Sequence, residues 1–126
     1  MQFTRLQQLA SGLLFVASLG TLSGCASMGS GMANSSGMSY YESGNYAAAA
    51  SEFQTALMSD PQNPDYMANF AKARMKMGDA QGAEQMFRQA LTVSPSHQPS
   101  YHGLAELMLA QGRGNEAQAM MTTWVN

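Results

Sequence analysis

The stretch AKARMKMGDAQGAEQMFRQALTVSPSH, residues 71–97, decides the fold because its spacing recurs on either side of it. Gly78 lies midway between Gly44 and Gly112 in the sequence. The same step along the chain relates four further sets: Ala49, Ala83 and Ala117; Phe53, Phe87 and Met121; Ala56 and Ala90; and Pro61 and Pro95. Shared spacing in so many independent positions indicates an internal repeat.

The repeated residues suit a pair of helices joined by a tight turn. A glycine can adopt the left-handed conformation that ends a first helix without steric cost. Ala49, Phe53 and Ala56 are spaced by four and three residues, which places them on one face of a second helix. Pro61 and Pro95 end each second helix, because proline disfavours helical geometry in the residue before it.

A 34-residue period with this pattern resembles the tetratricopeptide repeat, a helix–turn–helix unit that stacks on its neighbours. The resemblance implies an all-α fold, an α-solenoid of about three repeats over residues 30–63, 64–97 and 98–126. We expect a helix to begin at Asn63-Pro64-Asp65, where a capping residue precedes a proline. The first helix, around residues 32–41, is poor in helix formers and is expected to fray. At Asn126 the third repeat is incomplete, so we expect either a longer protein or a partner at this end.

Residues 1–24 have the layout of a secretory signal peptide. Arg5 precedes an apolar stretch from Leu9 to Leu22, shorter than the ~20 residues that a spanning helix needs. Leu22-Ser23-Gly24-Cys25 resembles the lipobox of bacterial lipoproteins, in which the cysteine is acylated and cleavage falls just before it. Cys25 is the only cysteine, so it has no internal disulfide partner. The alternative is an ordinary secreted protein with an incidental thiol.

The residues that follow Cys25 predict how the protein is tethered and in which membrane it resides. Residues 25–39 are rich in Gly and Ser, which predicts a flexible linker behind the lipid. In the lipoprotein family an aspartate after the cysteine tends to retain the protein at the inner membrane. Ala26 occupies that position here, so the resemblance implies the outer membrane, facing the periplasm, in a two-membrane bacterium. A covalent lipid on Cys25 is expected, and no cofactor.

Composition excludes several function classes. With six basic and eight acidic residues the chain lacks the basic stripe of a nucleic-acid binder. We find no catalytic constellation, and predict neither enzyme activity nor a small-molecule substrate. His97 lies in a turn and is expected to be solvated; it is five residues from His102, so the two do not share a helix face.

Twelve methionines leave a periplasmic copper-binding protein as an alternative, because thioether ligands suit Cu(I). Apolar packing explains the methionines at helical positions, namely Met75, Met77, Met86, Met108, Met120 and Met121.

The first helices of stacked repeats line a concave face. Position by position, the resemblance places on that face Tyr41, Glu42, Asp65, Asn69, Lys72, Met75, Lys76, His102, Glu106 and Leu109. Tyr41, Met75 and Leu109 would be apolar anchors for an extended or helical peptide.

Some family members clamp the terminal carboxylate of a peptide with five polar residues, and this chain matches only one of them, Asn69. Asn34, Met38, Pro99 and Gly103 stand at the other four positions, so a clamp of that kind is not expected. The chain looks like a lipid-anchored scaffold for envelope proteins, similar to the pilotin and Flp-pilus lipoproteins that assist pilus and secretion-complex assembly. A scaffold for cell-wall enzymes is the alternative within the same class.

Overall fold

The computed structural model describes residues 23–125, which form α-helices and contain no strand. The helices are α1 (Ser23–Glu42), α2 (Tyr46–Ser59), α3 (Pro64–Lys76), α4 (Ala80–Val93), α5 (Gln98–Ala110) and α6 (Gly114–Val125). Each helix contacts the next in the chain, α1 also contacts α3, and α3 also contacts α5. Three helical hairpins therefore stack side by side, which confirms the predicted all-α solenoid.

Glycines end the first helix of each hairpin. Gly44, Gly78 and Gly112 have φ angles of 80°, 84° and 75°, and no other residue within 23–125 has a positive φ. This left-handed region carries a steric penalty for every residue with a Cβ. The role predicted for the three glycines is confirmed.

Side-chain caps begin three of the helices, α2, α3 and α4. The Asn63 side chain accepts hydrogen bonds from the backbone N–H groups of Asp65 and Tyr66, as the sequence predicts. Asn45 and Asp79 cap α2 and α4 in the same way. Each cap satisfies backbone donors that have no partner within the helix, and is worth about 1 kcal/mol.

The buried core contains the alanines and phenylalanines that recur in the repeats. Ala49, Phe53, Ala56, Ala83, Phe87 and Ala90 are all 0% exposed. The ring of Phe53 lies against Gly37 of α1, and the ring of Phe87 lies against Gly103 of α5; a Cβ added at either glycine would overlap the ring. Aromatic rings on second helices thus fill space that glycines on first helices leave open.

The N-terminal helix corrects the prediction of a flexible linker. Residues 25–39 are helical, and α1 extends to Glu42. Ser30, Ala33 and Gly37 are buried on one face of this helix, and α1 packs along α2. Tertiary packing of that face outweighs the weak helix propensity of the glycines and serines.

The predicted signal peptide lies outside the described residues except for its last two positions, and so does the side chain of Cys25. Among residues 23–125, no helix combines the length and the apolar character needed to cross a membrane.

Candidate functional site

The first helices form one continuous side of the molecule. α1 contacts α3 and α3 contacts α5, whereas the second helices α2, α4 and α6 do not contact one another. We call the surface on this side, formed by Asn34, Tyr41, Asn69, Lys72, Lys76 and Glu106, the first-helix groove.

A small cavity opens between α1 and α3 in this groove. Its volume is about 70 Å³, and it is lined by Met38, Tyr41, Phe53, Asn69 and Lys72. Three of the predicted site residues, Tyr41, Asn69 and Lys72, therefore lie together. The floor is the fully buried Phe53, so the cavity offers an apolar base under a polar rim and has room for one small side chain.

Charged groups surround the Tyr41 side of the groove. Burial raises the pKa of Tyr41 above its ordinary value, the positive charge of Lys76 opposes this rise, and Glu106 adds to it. Lys76 and Glu106 therefore lie within electrostatic reach of the phenol. Lys72 and Lys76 are one helical turn apart on α3, and neither has an ion-pair partner among the described residues. Two unpaired ammonium groups beside an apolar cavity favour an acidic ligand.

The amide of Asn69 is engaged within the protein. Its Nδ2 donates a hydrogen bond to Oδ1 of Asn34, 3.0 Å away, across the first two repeats. Gly103, at another position of the carboxylate clamp, is covered by the ring of Phe87. This part of the groove therefore contains the bonded Asn34 and Asn69 amides. It lacks the cations that would surround the terminal carboxylate of a peptide in the clamp.

Three predicted residues line a different cavity. His102, Glu106 and Leu109 face a space of about 530 Å³ between α5 and α6, together with Ala105, Gly114, Ala117, Gln118 and Met121. We call this space the C-terminal pocket. Leu109 is 61% exposed at its edge. The sequence placed all ten residues on one surface, whereas in the structure only Glu106 belongs to both the groove and this pocket.

Three predicted positions take other places. Met75 is partly buried and packs against the main hydrophobic cluster, so it is no free anchor. Glu42 is exposed at the last residue of α1. Asp65 lies in the first turn of α3, where its Oδ1 is 3.0 Å from Nε2 of His97 at the α4–α5 turn.

His97 contradicts the expectation of a solvated side chain. It is only 12% exposed, and its Nδ1 lies 2.8 Å from the Ser100 hydroxyl. Asp65, His97 and Ser100 thus form a series that is similar to a catalytic triad in composition. Ser100 is completely buried, so its hydroxyl cannot reach a substrate, and the series ties the second repeat to the third. The 32-residue separation of Asp65 and His97 matches no repeat register, which is why the sequence pattern missed this contact.

Packing accounts for five of the six methionines that were assigned to helical packing positions. Met108 is buried, and Met75, Met86, Met120 and Met121 pack against the main cluster, while Met77 is exposed. Within residues 23–125, no three His, Cys, Asp or Glu side chains are grouped so that they could hold a metal ion.

Sequence comparison identifies relatives of the repeats. The family model of the tetratricopeptide repeat matches residues 40–86 and 74–126. A TPR repeat-containing thioredoxin of Arabidopsis thaliana, TTL4, is 32% identical over 78 residues, which is 62% of this chain. The chain spans only 11% of that relative.

Solved structures share the fold. The first TPR of Spaghetti (RPAP3), bound to the HSP90 peptide SRMEEVD, aligns with a TM-score of 0.73 at 21% identity, over 79% of this chain and 80% of that one. The Arabidopsis OM64 TPR domain aligns at 0.74 and 20% identity, over 79% and 83%. The second TPR domain of human RPAP3, in complex with the HSP70 peptide SGPTIEEVD, aligns at 0.65 and 24% identity, over 77% and 84%.

Proposed function

Because the chain belongs to the tetratricopeptide repeat family, we propose that it is a non-enzymatic scaffold that binds peptide segments of partner proteins. The observation that carries the proposal is the pair Lys72 and Lys76 beside the cavity of Tyr41 and Asn69. A peptide side chain can enter this cavity while a neighbouring carboxylate pairs with the lysines.

The proposed ligand is an internal acidic segment of a partner. Domains of this fold in the RPAP3 structures hold the peptides SRMEEVD and SGPTIEEVD, which are acidic. In this chain the amide of Asn69 is bonded to Asn34, and Gly103 replaces a cation of the carboxylate clamp. Recognition of a free terminal carboxylate is therefore disfavoured, and acidic side chains of the peptide would pair with Lys72 and Lys76 instead.

Fluorescence anisotropy with a labelled 12-residue peptide tests this proposal. The peptide alternates Glu with Ala and Val, and its counterpart carries Lys in place of Glu. We expect the acidic peptide to bind and the basic one not to bind. Lys72→Gln with Lys76→Gln should weaken binding about tenfold, or about 1.4 kcal/mol, by removing both charges.

The matched control is Arg88→Gln, which removes an exposed positive charge from α4, outside the groove. It should leave the affinity unchanged. Equal binding of the acidic and basic peptides, or an equal loss in the control, would contradict the proposal.

We further propose that a lipid on Cys25 holds this scaffold in a bacterial envelope. The support for this anchor is Leu22-Ser23-Gly24-Cys25 directly after an apolar stretch. The partner would then be an envelope protein, either a component of a pilus or secretion complex or a cell-wall enzyme. The identity of the protein bound in the groove distinguishes these two alternatives.

A further inference from the structure

The contact between successive repeats shows what kind of helix would fit the C-terminal pocket. Phe53, Phe87 and Met121 occupy the same register of the three repeats. The ring of Phe87 is completely buried and lies against Gly103 of the helix that begins the next repeat. Met121 is partly exposed and lines the C-terminal pocket, where residues 23–125 supply no following helix.

The opposite end of the stack presents the complementary half of that interface. In α5, Ser100, Gly103 and Leu107 are buried, and α5 packs on α4 of the preceding repeat. The equivalent positions two repeats earlier, on α1, are Met32, Ser35 and Ser39. All three are exposed. Met32 is 72% exposed, and Met28, one turn earlier, is 73% exposed. Two exposed methionines followed by two exposed serines thus face away from the rest of the stack.

We propose that a second copy of this chain fills the C-terminal pocket with its α1, in the way that α5 packs on the hairpin of α3 and α4. This contact continues the interface that already joins successive repeats within the chain. In the repeated register, Phe87 requires a glycine opposite it, whereas Met121 would lie opposite Ser35. A flexible methionine can accommodate the Cβ and hydroxyl of this serine.

The contact would involve few charged groups. Glu42 is the one charged residue of α1, and Glu116 is the one charged residue of α6. Glu106 of α5 also lines the pocket and is exposed, so its carboxylate has to stay in contact with solvent, because burial of an unpaired charge would oppose association. The contact joins two different surfaces, so each copy keeps one free end and association can continue beyond a dimer.

Sedimentation equilibrium of the full chain, in a density-matched non-ionic detergent, tests the proposal. We expect the average mass to rise with protein concentration above the 13.5 kDa of one chain. Ser35→Arg on α1 and Met121→Lys in the pocket should each remain at the mass of one chain. Leu109→Lys, at an exposed edge of the pocket, provides a second pocket variant if Met121→Lys loses its helical circular dichroism.

A mixture of the two variants gives the sharpest result. The Ser35→Arg chain keeps an intact pocket and the Met121→Lys chain keeps an intact α1, so an equimolar mixture should form a one-to-one dimer and no larger species. Met58→Lys, at an exposed site on α2, is the control and should associate like the unmodified chain. A constant single-chain mass for the unmodified protein, association that survives both variants, or a mixture that stays monomeric would overturn the proposal.

Discussion

At the scale of single residues, glycine has different roles in helices of the same chain. Gly103 lies in α5 against the ring of Phe87, whereas Gly29 lies in α1 with no heavy atom within 4 Å of the position of an added Cβ. The first glycine is required by a close contact, and the second only weakens its helix. Sequence alone does not separate the two, because the difference lies in what packs against each position.

Gly103→Ala should destabilise the protein by about 1–3 kcal/mol, because the added Cβ would overlap the Phe87 ring in a packed core. Thermal unfolding followed by circular dichroism at 222 nm measures the effect. A melting temperature equal to that of the unmodified chain would show that the ring can move aside at little cost.

Gly29→Ala is the matched substitution at an open helical position. It should stabilise α1 by up to about 1 kcal/mol, because alanine has the higher helix propensity and meets no neighbour. The same melting experiment applies, and a loss of stability here would mean that α1 packs differently around residue 29.

His97 offers a second residue-scale prediction. His97→Ala should lower the free energy of unfolding by about 1–2 kcal/mol, because it removes the contacts to Asp65 and Ser100 between two repeats. His102→Ala is the control, since His102 is exposed on α5. Urea unfolding distinguishes them, and similar midpoints for both variants would refute the structural role of His97.

At the scale of helices, an ion-pair network joins the second and third repeats. Arg113 at the α5–α6 turn donates to Glu84 on α4 at 2.7 Å and to Glu116 at 2.7 Å, and Arg88 also pairs with Glu84. Hydrogen bonds from Arg113 and Arg88 hold the pKa of the Glu84 carboxyl below its usual range. A lowered pKa in the folded state means that ionised Glu84 contributes stability.

The contribution of Glu84 should depend on pH. It is present at neutral pH, above the carboxyl pKa of the unfolded chain, and is lost as the pH falls through the lowered pKa of the folded state. The melting temperature of Glu84→Gln should therefore lie below that of the unmodified chain at pH 7, with the gap closing in acid. Glu52→Gln, at a residue without an ion pair in residues 23–125, should show no such gap. A gap that stays constant down to pH 3 would contradict this assignment.

The helices also show how far sequence reasoning reaches. The 34-residue period predicted the hairpins and the glycine turns, and the sequence Asn63-Pro64-Asp65 predicted the cap, because each depends on local backbone geometry. The prediction from composition failed at α1, since residues 25–39 look like a linker by composition and are helical through packing of Ala33 and Gly37. Propensity describes an isolated segment and contains no information about a neighbouring helix.

At the scale of the whole molecule, the predicted site was too broad. The family resemblance placed Tyr41, Asn69 and Lys72 on one face, and in the structure they line one cavity. The resemblance could not show that His102 and Leu109 line a separate pocket, or that Met75 packs against the core, because those outcomes depend on which side chains fill the spaces between helices.

The proposed anchor gives a prediction for the whole chain. Cys25→Ser should move the protein from the membrane pellet to the soluble fraction of a bacterial expression host, because the acylated sulfur is lost. Ala26→Asp is the control: it keeps the cysteine, and the lipoprotein resemblance implies that the protein then stays membrane-bound but at the inner membrane. Retention of Cys25→Ser in the pellet with unchanged processing would contradict lipidation.

The most direct test of the central claim, that the first-helix groove holds the partner, is site-specific photocrosslinking in cells. A photoreactive amino acid replaces Lys76 in the groove or, as the control, the exposed Gln89 on the outer helix α4. We predict a discrete crosslinked partner from position 76 that is absent from position 89 and is reduced by Lys72→Gln. Equal crosslinking from both positions, or adducts at position 89 alone, would contradict the account.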